Sequence, residues 1–264
     1  MKKIDLLLIL PSSGILYYQI KEQRGRAWRN PRRKDATLSP QRVIFISAGK
    51  EVFMAGKAMI KIWGRRDSSN VQKVLWCCDE LGVSYERIDI GGKFGGTKEK
   101  PYLDLNPNGL VPTIEDGSFV LWESNTIMRY LVDQYGQGRL LPPTPEGRAN
   151  AGRWMDWQLT TLGPAITPIF RGLVRTPEEK RDPAAIENAL KKAANGWLIV
   201  DNHLAQNSYM AGDAFTIGDI PIGVWAYRWF NLPIQRPKLD HVRRWYNSLC
   251  KRPPYQTHIM IPLT

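Results

Sequence analysis

Three polar side chains, Ser68, Ser69 and Asn70, stand where an alternating apolar strand gives way to a helical pattern. Hydroxyl and amide N–H groups donate hydrogen bonds to anions, and a helix N-terminus favours negative charge by about 0.3–1 kcal/mol. Ser69 is the predicted N-cap of the helix, with Gln72 three residues later completing a capping box. All three side chains are therefore candidates for holding an anion, and the ordinary alternative is that all three are simply caps.

A second polar pair, Glu123 and Ser124, opens another predicted helix. A carboxylate can bind an ammonium group, while a serine hydroxyl and the amides of a helix N-terminus can bind a carboxylate. One Glu-Ser step could therefore match a ligand that carries both groups. The ordinary alternative is a capping serine beside an exposed glutamate.

The cysteines and histidines form no recognisable metal or dithiol motif. Cys77 and Cys78 are adjacent, Cys250 stands alone, and the three histidines are scattered without metal-ligand spacing. We expect no metal site. Cys78 falls on the apolar stripe of its helix, so packing is the expected role of the cysteine pair.

The elements that position these residues follow from hydrophobic periodicity. Ile60–Trp63 alternates as a strand, a helix ends at Gly82, and residues 85–90 form a second strand, which together predict a parallel βαβ unit. Apolar runs on both sides of Asp116-Gly117 predict a hairpin. The helix that Ser124 is predicted to cap follows it.

The second half of the folded chain is predicted to be helical. Residues 138–147 are rich in Gly and Pro and are interpreted as a linker. The predicted helices beyond it cover residues 148–162, 183–206, 217–230 and 239–251. The expected domains are therefore an α/β domain over 59–137 and an all-helical domain over 148–264.

The first 58 residues differ in charge from the rest. They hold 12 Lys and Arg against 4 Asp and Glu, whereas the whole chain holds 37 against 25. An Arg-rich arm can bind nucleic acid or a membrane surface, but such charge runs are commonly solvated and unstructured. We expect residues 1–58 to be a disordered extension, or a start assigned too far upstream of Met59.

Composition and hydropathy also limit the expected cellular location of the protein. Mean hydropathy is −0.36, and no run approaches the ~18 apolar residues that a spanning helix needs. The apolar run near the N-terminus is interrupted by Asp5 and ended by Pro11, which argues against a secretory signal. A cytoplasmic protein with no membrane or nucleic-acid partner is expected.

Over residues 59–264 the chain resembles the cytosolic glutathione S-transferase family, in particular its bacterial nu-like and theta-like branches. The motifs that carry the resemblance are Ser68-Ser69-Asn70, Asn106-Pro107-x-Gly109-x-Val111-Pro112, Glu123-Ser124 and Phe215-Thr216-Ile217-Gly218-Asp219-Ile220. The resemblance implies an α/β thioredoxin-like N-terminal domain followed by an all-α C-terminal helical domain. It also implies a homodimer that uses glutathione as co-substrate and no metal.

The implied activity is that of a glutathione transferase, which activates glutathione as thiolate for attack on an electrophilic, disulfide or peroxide substrate. A free thiol has a pKa of about 8.5, and lowering it by two units takes about 2.7 kcal/mol of preferential anion stabilisation. The resemblance implies Ser68 as the first candidate for the thiolate donor and Asn70 as the second.

The resemblance also implies which residues bind the other parts of glutathione. Val111-Pro112 resembles the family's cis-proline turn, whose Val111 backbone would pair with the cysteinyl residue. Glu123 and Ser124 match the γ-glutamyl ammonium and carboxylate.

Asn108 and Leu110 are expected to line the same groove. A basic residue for the glycyl carboxylate is also expected, and the sequence does not separate Lys98 from Lys93.

Two other readings remain open. A non-catalytic module of the same fold would bind glutathione or a partner, although the retention of Ser68, Val111 and Glu123-Ser124 argues against it. A basic nucleic-acid binder would depend on the N-terminal extension alone, and predicts steeply salt-dependent binding.

Overall fold

The computed structural model describes residues 59–264 and the backbone of four short strands before them. These strands are β1 (Asp5–Ile9), β2 (Tyr17–Lys21), β3 (Ile46–Ser47) and β4 (Lys50–Glu51). Strand β1 pairs antiparallel with β2, and β3 with β4. The chain divides into a unit over Met1–Lys57 and a unit over Ala58–Thr264. The rest of the extension lies outside the described residues, so its interpretation as disordered or wrongly started stays a prediction.

A mixed four-stranded sheet begins the second unit. Its strands are β5 (Ile60–Trp63), β6 (Tyr85–Ile88), β7 (Thr113–Asp116) and β8 (Phe119–Trp122). Their order is β6-β5-β7-β8, with β5 parallel to β6 and the other pairs antiparallel. The alternating sequence buries Ile60 and Ile62 completely and exposes Lys61. The predicted βαβ unit and hairpin are confirmed, with the hairpin strands starting one or two residues later than expected.

Three helices accompany this sheet. They are α1 (Ser69–Leu81), α2 (Lys100–Leu103) and α3 (Ser124–Tyr135). Helix α1 stops at Gly82, whose φ of 62° is the left-handed conformation that glycine adopts without a steric penalty. Apolar side chains on both long helices, such as Val74 and Ile127, are fully buried. The expected thioredoxin-like order of elements is therefore confirmed.

The start of α1 differs from the prediction. Ser68 is the N-cap, Ser69 is the first helical residue, and no side chain caps the helix. The capping box between Ser69 and Gln72 is therefore wrong. The Gln72 amide is buried and serves distant partners, because its Nε2 donates to the His258 carbonyl at 2.9 Å and its Oε1 accepts from Arg228 Nη2 at 2.8 Å.

Helices make up the rest of the unit. They are α4 (Pro145–Trp157), α5 (Gly163–Phe170), α6 (Pro183–Leu204), α7 (Asp219–Asn231), α8 (Asp240–Leu249) and α9 (Pro253–His258). A π-helical turn over Gln158–Leu162 joins α4 to α5, and another over Arg171–Arg175 follows α5. The predicted helices are present, and α4 begins inside the segment interpreted as a linker. The sequence analysis missed α5, which carries Pro168 in its interior.

Thr216 and Asp219 organise the chain before α7, whose N-cap residue is Gly218. Asp219 Oδ2 accepts from the Thr216 backbone N–H at 2.9 Å, and Thr216 Oγ1 accepts from the Gly218 N–H at 3.2 Å. Asp219 Oδ1 accepts from the Met210 N–H and from Trp245 Nε1, both at 2.9 Å. Burial raises the pKa of Asp219 to about 6, against the effect of these hydrogen bonds. The carboxylate thus ties α7 to the preceding loop and to α8.

Within the described ranges, no helix combines the length and apolar character needed to cross a bilayer. The same residues contain no group of three or more His, Cys, Asp and Glu side chains arranged to hold a metal ion.

Candidate active site

A cleft of about 510 Å³ opens at the N-terminus of α1. One wall comes from the β5–α1 junction and from the loop before β7, and it includes Ser68, Asn70 and Val111. The opposite wall comes from the end of α4 through the turn after α5, and from α7. Its residues include Gln158, Leu159, Thr167, Phe170, Arg171, Arg175, Trp225 and Arg228. The cleft therefore lies where the α/β part meets the helical part.

Ser68 and Asn70 both reach this cleft. Ser68 is only 8% exposed, and although it is the N-cap, its hydroxyl makes no capping hydrogen bond. Asn70 lies in the first turn of the same helix. A hydroxyl, an amide and the positive end of a helix thus converge on one edge of a cavity, which suits an anion.

The loop before β7 supplies the neighbouring edge. The Val111–Pro112 peptide is cis, as the resemblance implied, and Val111 and Leu110 line the cleft while Pro112 is buried. Tyr102 Oη donates to the Leu110 carbonyl at 2.6 Å, and Asn106 Nδ2 donates to the same oxygen at 2.9 Å. These two side chains position the loop, and sequence reasoning did not assign that role to them.

Asn108 and the two candidate lysines lie outside the lining of the cleft. The Asn108 carbonyl accepts from Lys98 Nζ at 3.2 Å. Lys93 Nζ instead lies 5.1 Å from the centre of the Phe94 ring. The structure therefore places Lys98 beside a predicted site residue and Lys93 over an aromatic side chain.

Glu123 and Ser124 lie at the start of α3 and also do not line the cleft. The prediction that Ser124 caps this helix is wrong, because Glu123 is the N-cap and Ser124 is the first helical residue. Glu123 has a φ of 75°, a rare conformation for a residue with a Cβ. Such backbone outliers cluster at ligand-binding sites. Glu123 is exposed, whereas Ser124 is buried.

A buried lysine connects the start of α3 to α1. Lys73 is completely buried, and its Nζ donates to Asn125 Oδ1 at 3.4 Å. Asn125 Nδ2 in turn donates to the Met155 carbonyl at 2.8 Å. Burial lowers the pKa of Lys73 to about 7; the charge of Glu123 opposes this shift, and that of Arg228 adds to it. A charged residue amid the buried positions of α1 was the only sequence signal for this contact.

The helical wall contains a buried arginine. Arg228 is 4% exposed, and its Nη1 donates to the Val224 carbonyl at 3.1 Å while its Nη2 reaches Gln72. Its guanidinium carbon lies 5.4 Å from both the Phe170 and the Trp225 ring centres. Burial lowers the pKa of Arg228 to about 10. Sequence reasoning missed this residue because its partners are far away along the chain.

The cysteines take no part in the cleft. Cys77 and Cys78 are fully buried in α1, and burial raises the pKa of both thiols. Thiols in such surroundings are inert at neutral pH. Their expected packing role is confirmed.

Two family models match the chain. The model described as glutathione S-transferase, N-terminal domain, matches residues 58–133, and the C-terminal domain model matches residues 183–248. The Escherichia coli K12 protein glutathione S-transferase GstB is 43% identical over 208 residues, covering 78% of this chain and 100% of the relative. Glutathione S-transferase 3 of Zea mays is 31% identical over 214 residues, covering 78% and 96%.

Solved structures give the same result. The theta class glutathione S-transferase of Xanthomonas axonopodis pv. citri, crystallised with glutathione bound, superimposes with a TM-score of 0.76 at 49% identity. That match covers 78% of this chain and 100% of the other. The apo structure of glutathione S-transferase III has a TM-score of 0.68 at 28% identity, covering 78% and 99%.

Proposed function

The chain belongs to the glutathione S-transferase family, and on that premise we propose that its cleft activates glutathione for transfer to an electrophile. The observation that carries this proposal is the convergence of Ser68, Asn70 and Val111 on one cavity at a helix N-terminus. No protein dithiol is present at that position, since Ser68 to Val71 stand where a CxxC motif would lie. The reacting sulfur is therefore that of the bound tripeptide.

In this proposal the Ser68 hydroxyl donates a hydrogen bond to the glutathione sulfur. Asn70 and the helix N-terminus add to the stabilisation of the anion. The thiol proton passes to solvent, and the thiolate attacks the electrophilic atom while the leaving group departs with its electron pair. Stabilising the thiolate by about 2.7 kcal/mol moves the thiol pKa from about 8.5 to about 6.5, so that it is ionised at neutral pH.

We place the rest of glutathione along the same face. The Val111 backbone beside the cis peptide pairs with the cysteinyl residue, and Pro112 holds that turn. Glu123 and Ser124 receive the γ-glutamyl ammonium and carboxylate. The unusual φ of Glu123 supports this assignment.

The glycyl end is assigned to the loop before β7. Lys98 is the better candidate for the glycyl carboxylate, because it lies beside Asn108. Asn108 and Leu110 would then line the groove.

A two-part measurement tests the activity. The purified protein is retained on immobilised glutathione and eluted with free glutathione, and turnover of a chlorodinitrobenzene with glutathione is followed by absorbance. Retention with turnover supports the transferase. Retention without turnover of this substrate, of a disulfide or of a peroxide would favour a non-catalytic module of the same fold.

The assembly and location are proposed on the family alone. A homodimer would pair the thioredoxin-like domain of one copy with the helical domain of the other, in the cytoplasm, with a role in detoxification. Light scattering on the eluted protein measures its mass, and a monomer at micromolar concentration would contradict the dimer. Cell fractionation followed by immunodetection tests the location.

A further inference from the structure

The cleft carries an excess of positive charge. Its lining includes four guanidinium groups, those of Arg65, Arg171, Arg175 and Arg228, and, among the described residues that line it, the single carboxylate of Asp67. Asp67 Oδ1 lies 3.3 Å from Arg65 Nη1, and Asp67 Oδ2 lies 4.0 Å from Arg175 Nη2. One carboxylate is shared between two arginines, and Arg175 Nε and Nη2 also donate to the Thr264 oxygen at 3.1 and 2.9 Å. Among the described residues no carboxylate lies within 4 Å of Arg171 or Arg228, so the uncompensated positive charge belongs to these two.

The most buried of these arginines has no anionic partner. No carboxylate of the described residues lies within 4 Å of Arg228, whose hydrogen bonds go to the neutral Val224 carbonyl and Gln72 amide. A buried charge is normally paired, because its removal from water is expensive. Neighbouring charges of both signs act on these groups. Burial and then Arg175 lower the pKa of Arg228, while Asp67 raises it; burial, Arg65 and Arg171 lower the pKa of Arg175, which Asp67 also raises.

Glutathione accounts for only part of this surplus, because the one anion it brings into the cleft is the thiolate at Ser68. Under the proposed function its γ-glutamyl end lies at Glu123 and Ser124, and its glycyl carboxylate lies at Lys98. None of these residues lines the cleft with the arginines. Arg171, Arg175 and the buried arginine of α7 belong to the opposite, helical wall, where a second substrate would lie.

We propose that the second substrate of this enzyme is an electrophile that carries an anionic group, a carboxylate or a similar small oxyanion. This inference rests on the proposed function and extends it to a substrate class. The oxyanion is bound by guanidinium groups of the helical wall, which suit bidentate hydrogen bonding to planar oxyanions. The apolar part of the substrate packs on Phe170 and Trp225, and its reactive atom faces the sulfur at Ser68.

A matched pair of substrates isolates the charge. A chlorodinitrobenzoate with its carboxylate para to chlorine is compared with the corresponding neutral carboxamide. In both reactions the glutathione thiolate forms a C–S bond, the C–Cl bond breaks, chloride leaves with the electron pair and the thiol proton goes to solvent. The ratio of the two kcat/KM values, each corrected for the uncatalysed rate, measures the preference for the anion.

The variants remove charge from the exposed part of the wall. Arg171→Gln, and the double variant Arg171→Gln with Arg175→Gln, are compared with Arg153→Gln. Arg153 is an exposed arginine of α4 that does not line the cleft, so it loses the same charge elsewhere. Losing charged hydrogen bonds to the substrate should lower the anion-to-amide ratio about tenfold in the double variant. Arg153→Gln should keep the ratio of the unaltered protein.

Salt gives a second readout that does not depend on folding. Raising the salt concentration to about 0.5 M should depress kcat/KM for the benzoate more than for the amide, because screening acts on the charged partner. A ratio that is unchanged in the double variant, or an equal loss with Arg153→Gln, would overturn the proposal. A rise in the KM for glutathione with both electrophiles would also overturn it, since the arginines would then serve glutathione.

The failure of the proposed function is separable from the failure of this inference. If neither aryl chloride is turned over, calorimetry with the two finished glutathione conjugates measures the same preference by binding. Suppose that the benzoate conjugate binds more tightly and that this binding weakens in the double variant. The anionic subsite would then be supported, and only the proposed transferase activity would be contradicted. Equal binding of both conjugates would contradict the subsite.

Discussion

Ser68 combines a helix N-cap position with a hydroxyl that makes no capping hydrogen bond. An N-cap serine usually satisfies a backbone N–H of the first turn. Here the side chain lines a cavity instead, so the helix start leaves a donor for a ligand. Asn70 lies two residues further along the chain. Single substitutions at the two positions therefore measure how much each side chain contributes to stabilising the thiolate.

We expect Ser68→Ala to lower kcat/KM for glutathione transfer by about a hundredfold. Removing one hydrogen-bond donor to a reacting anion has an effect of this size in other enzymes. The pKa of the bound thiol, read from thiolate absorbance against pH, should rise in the same variant. Asn70→Ala should have a much smaller effect if Ser68 acts alone. Equal losses in the two variants would show that both donors activate the thiol.

A second prediction concerns Lys73. Its pKa falls from the usual 10.5 to about 7 through burial, so the unfolded chain binds more protons than the folded one between these values. The free energy of unfolding should therefore rise with pH from about 7 to about 10. At 1.36 kcal/mol per unit over the interval between about 7 and 10.5, the rise is about 5 kcal/mol.

Lys73→Met should remove that rise, whatever its effect on stability at one pH. Urea unfolding of both proteins at a series of pH values measures the difference. Lys61→Met, which changes an exposed lysine of β5, should leave the slope as it is. A slope that persists in Lys73→Met would contradict the assignment.

At the scale of elements, α1 is the helix on which both halves of the site depend. Its N-terminus faces the cleft, Lys73 joins it to α3, and Trp76 packs edge-on against Tyr255 of α9 with ring centres 4.8 Å apart. Helix α1 also packs against α7, where Trp76 lies close to Gly223. A Cβ on Gly223 would meet Trp76 at 2.9 Å and Leu249 at 2.9 Å, so this helix crossing requires glycine.

Gly223→Ala should therefore destabilise the protein by about 1–3 kcal/mol, because the buried indole and leucine have to move. Gly152→Ala in α4 is the matched control. The nearest neighbour of a Cβ at this position would be Arg129 Nη2 at 3.8 Å, so the new methyl group fits. Alanine also lowers the conformational entropy of the unfolded chain, so the free energy of unfolding should stay unchanged or rise by up to about 1 kcal/mol. Thermal unfolding measures both; equal losses would contradict the close-approach argument.

At the scale of the whole molecule, every described residue that lines the cleft belongs to the unit Ala58–Thr264, from Arg65 to Arg228. The E. coli and Xanthomonas relatives are matched over their full length by 78% of this chain. The basic extension therefore contributes charge, with 12 Lys and Arg among 58 residues, but supplies no described wall of the site.

Deleting residues 1–58 should leave kcat/KM and the unfolding midpoint of the remaining protein unchanged. If the full chain binds nucleic acid, that binding should fall steeply with salt and vanish in the truncated protein. Turnover and electrophoretic mobility shifts on the two proteins provide the check. Lost turnover in a truncated protein that remains folded would assign the extension a role in the site.

Local patterns in the sequence determined a large part of this molecule. Period-two and helical spacing predicted the βαβ unit, the hairpin and four helices, because burial of one face imposes a repeat on neighbouring residues. Short motifs also carried the family resemblance, and the cis Val111-Pro112 turn that the resemblance implied is present. These features depend on residues only a few positions apart.

Tertiary structure alone decided which polar groups meet. Gln72 pairs with Arg228 and His258 across 156 and 186 residues, and that pairing overrides its predicted capping role. The four arginines of the cleft likewise come from a loop at Arg65 and from helical segments more than a hundred residues away. Local propensity cannot encode such meetings, because the cost of burying a charge or an amide is set by whatever the fold brings within hydrogen-bonding distance.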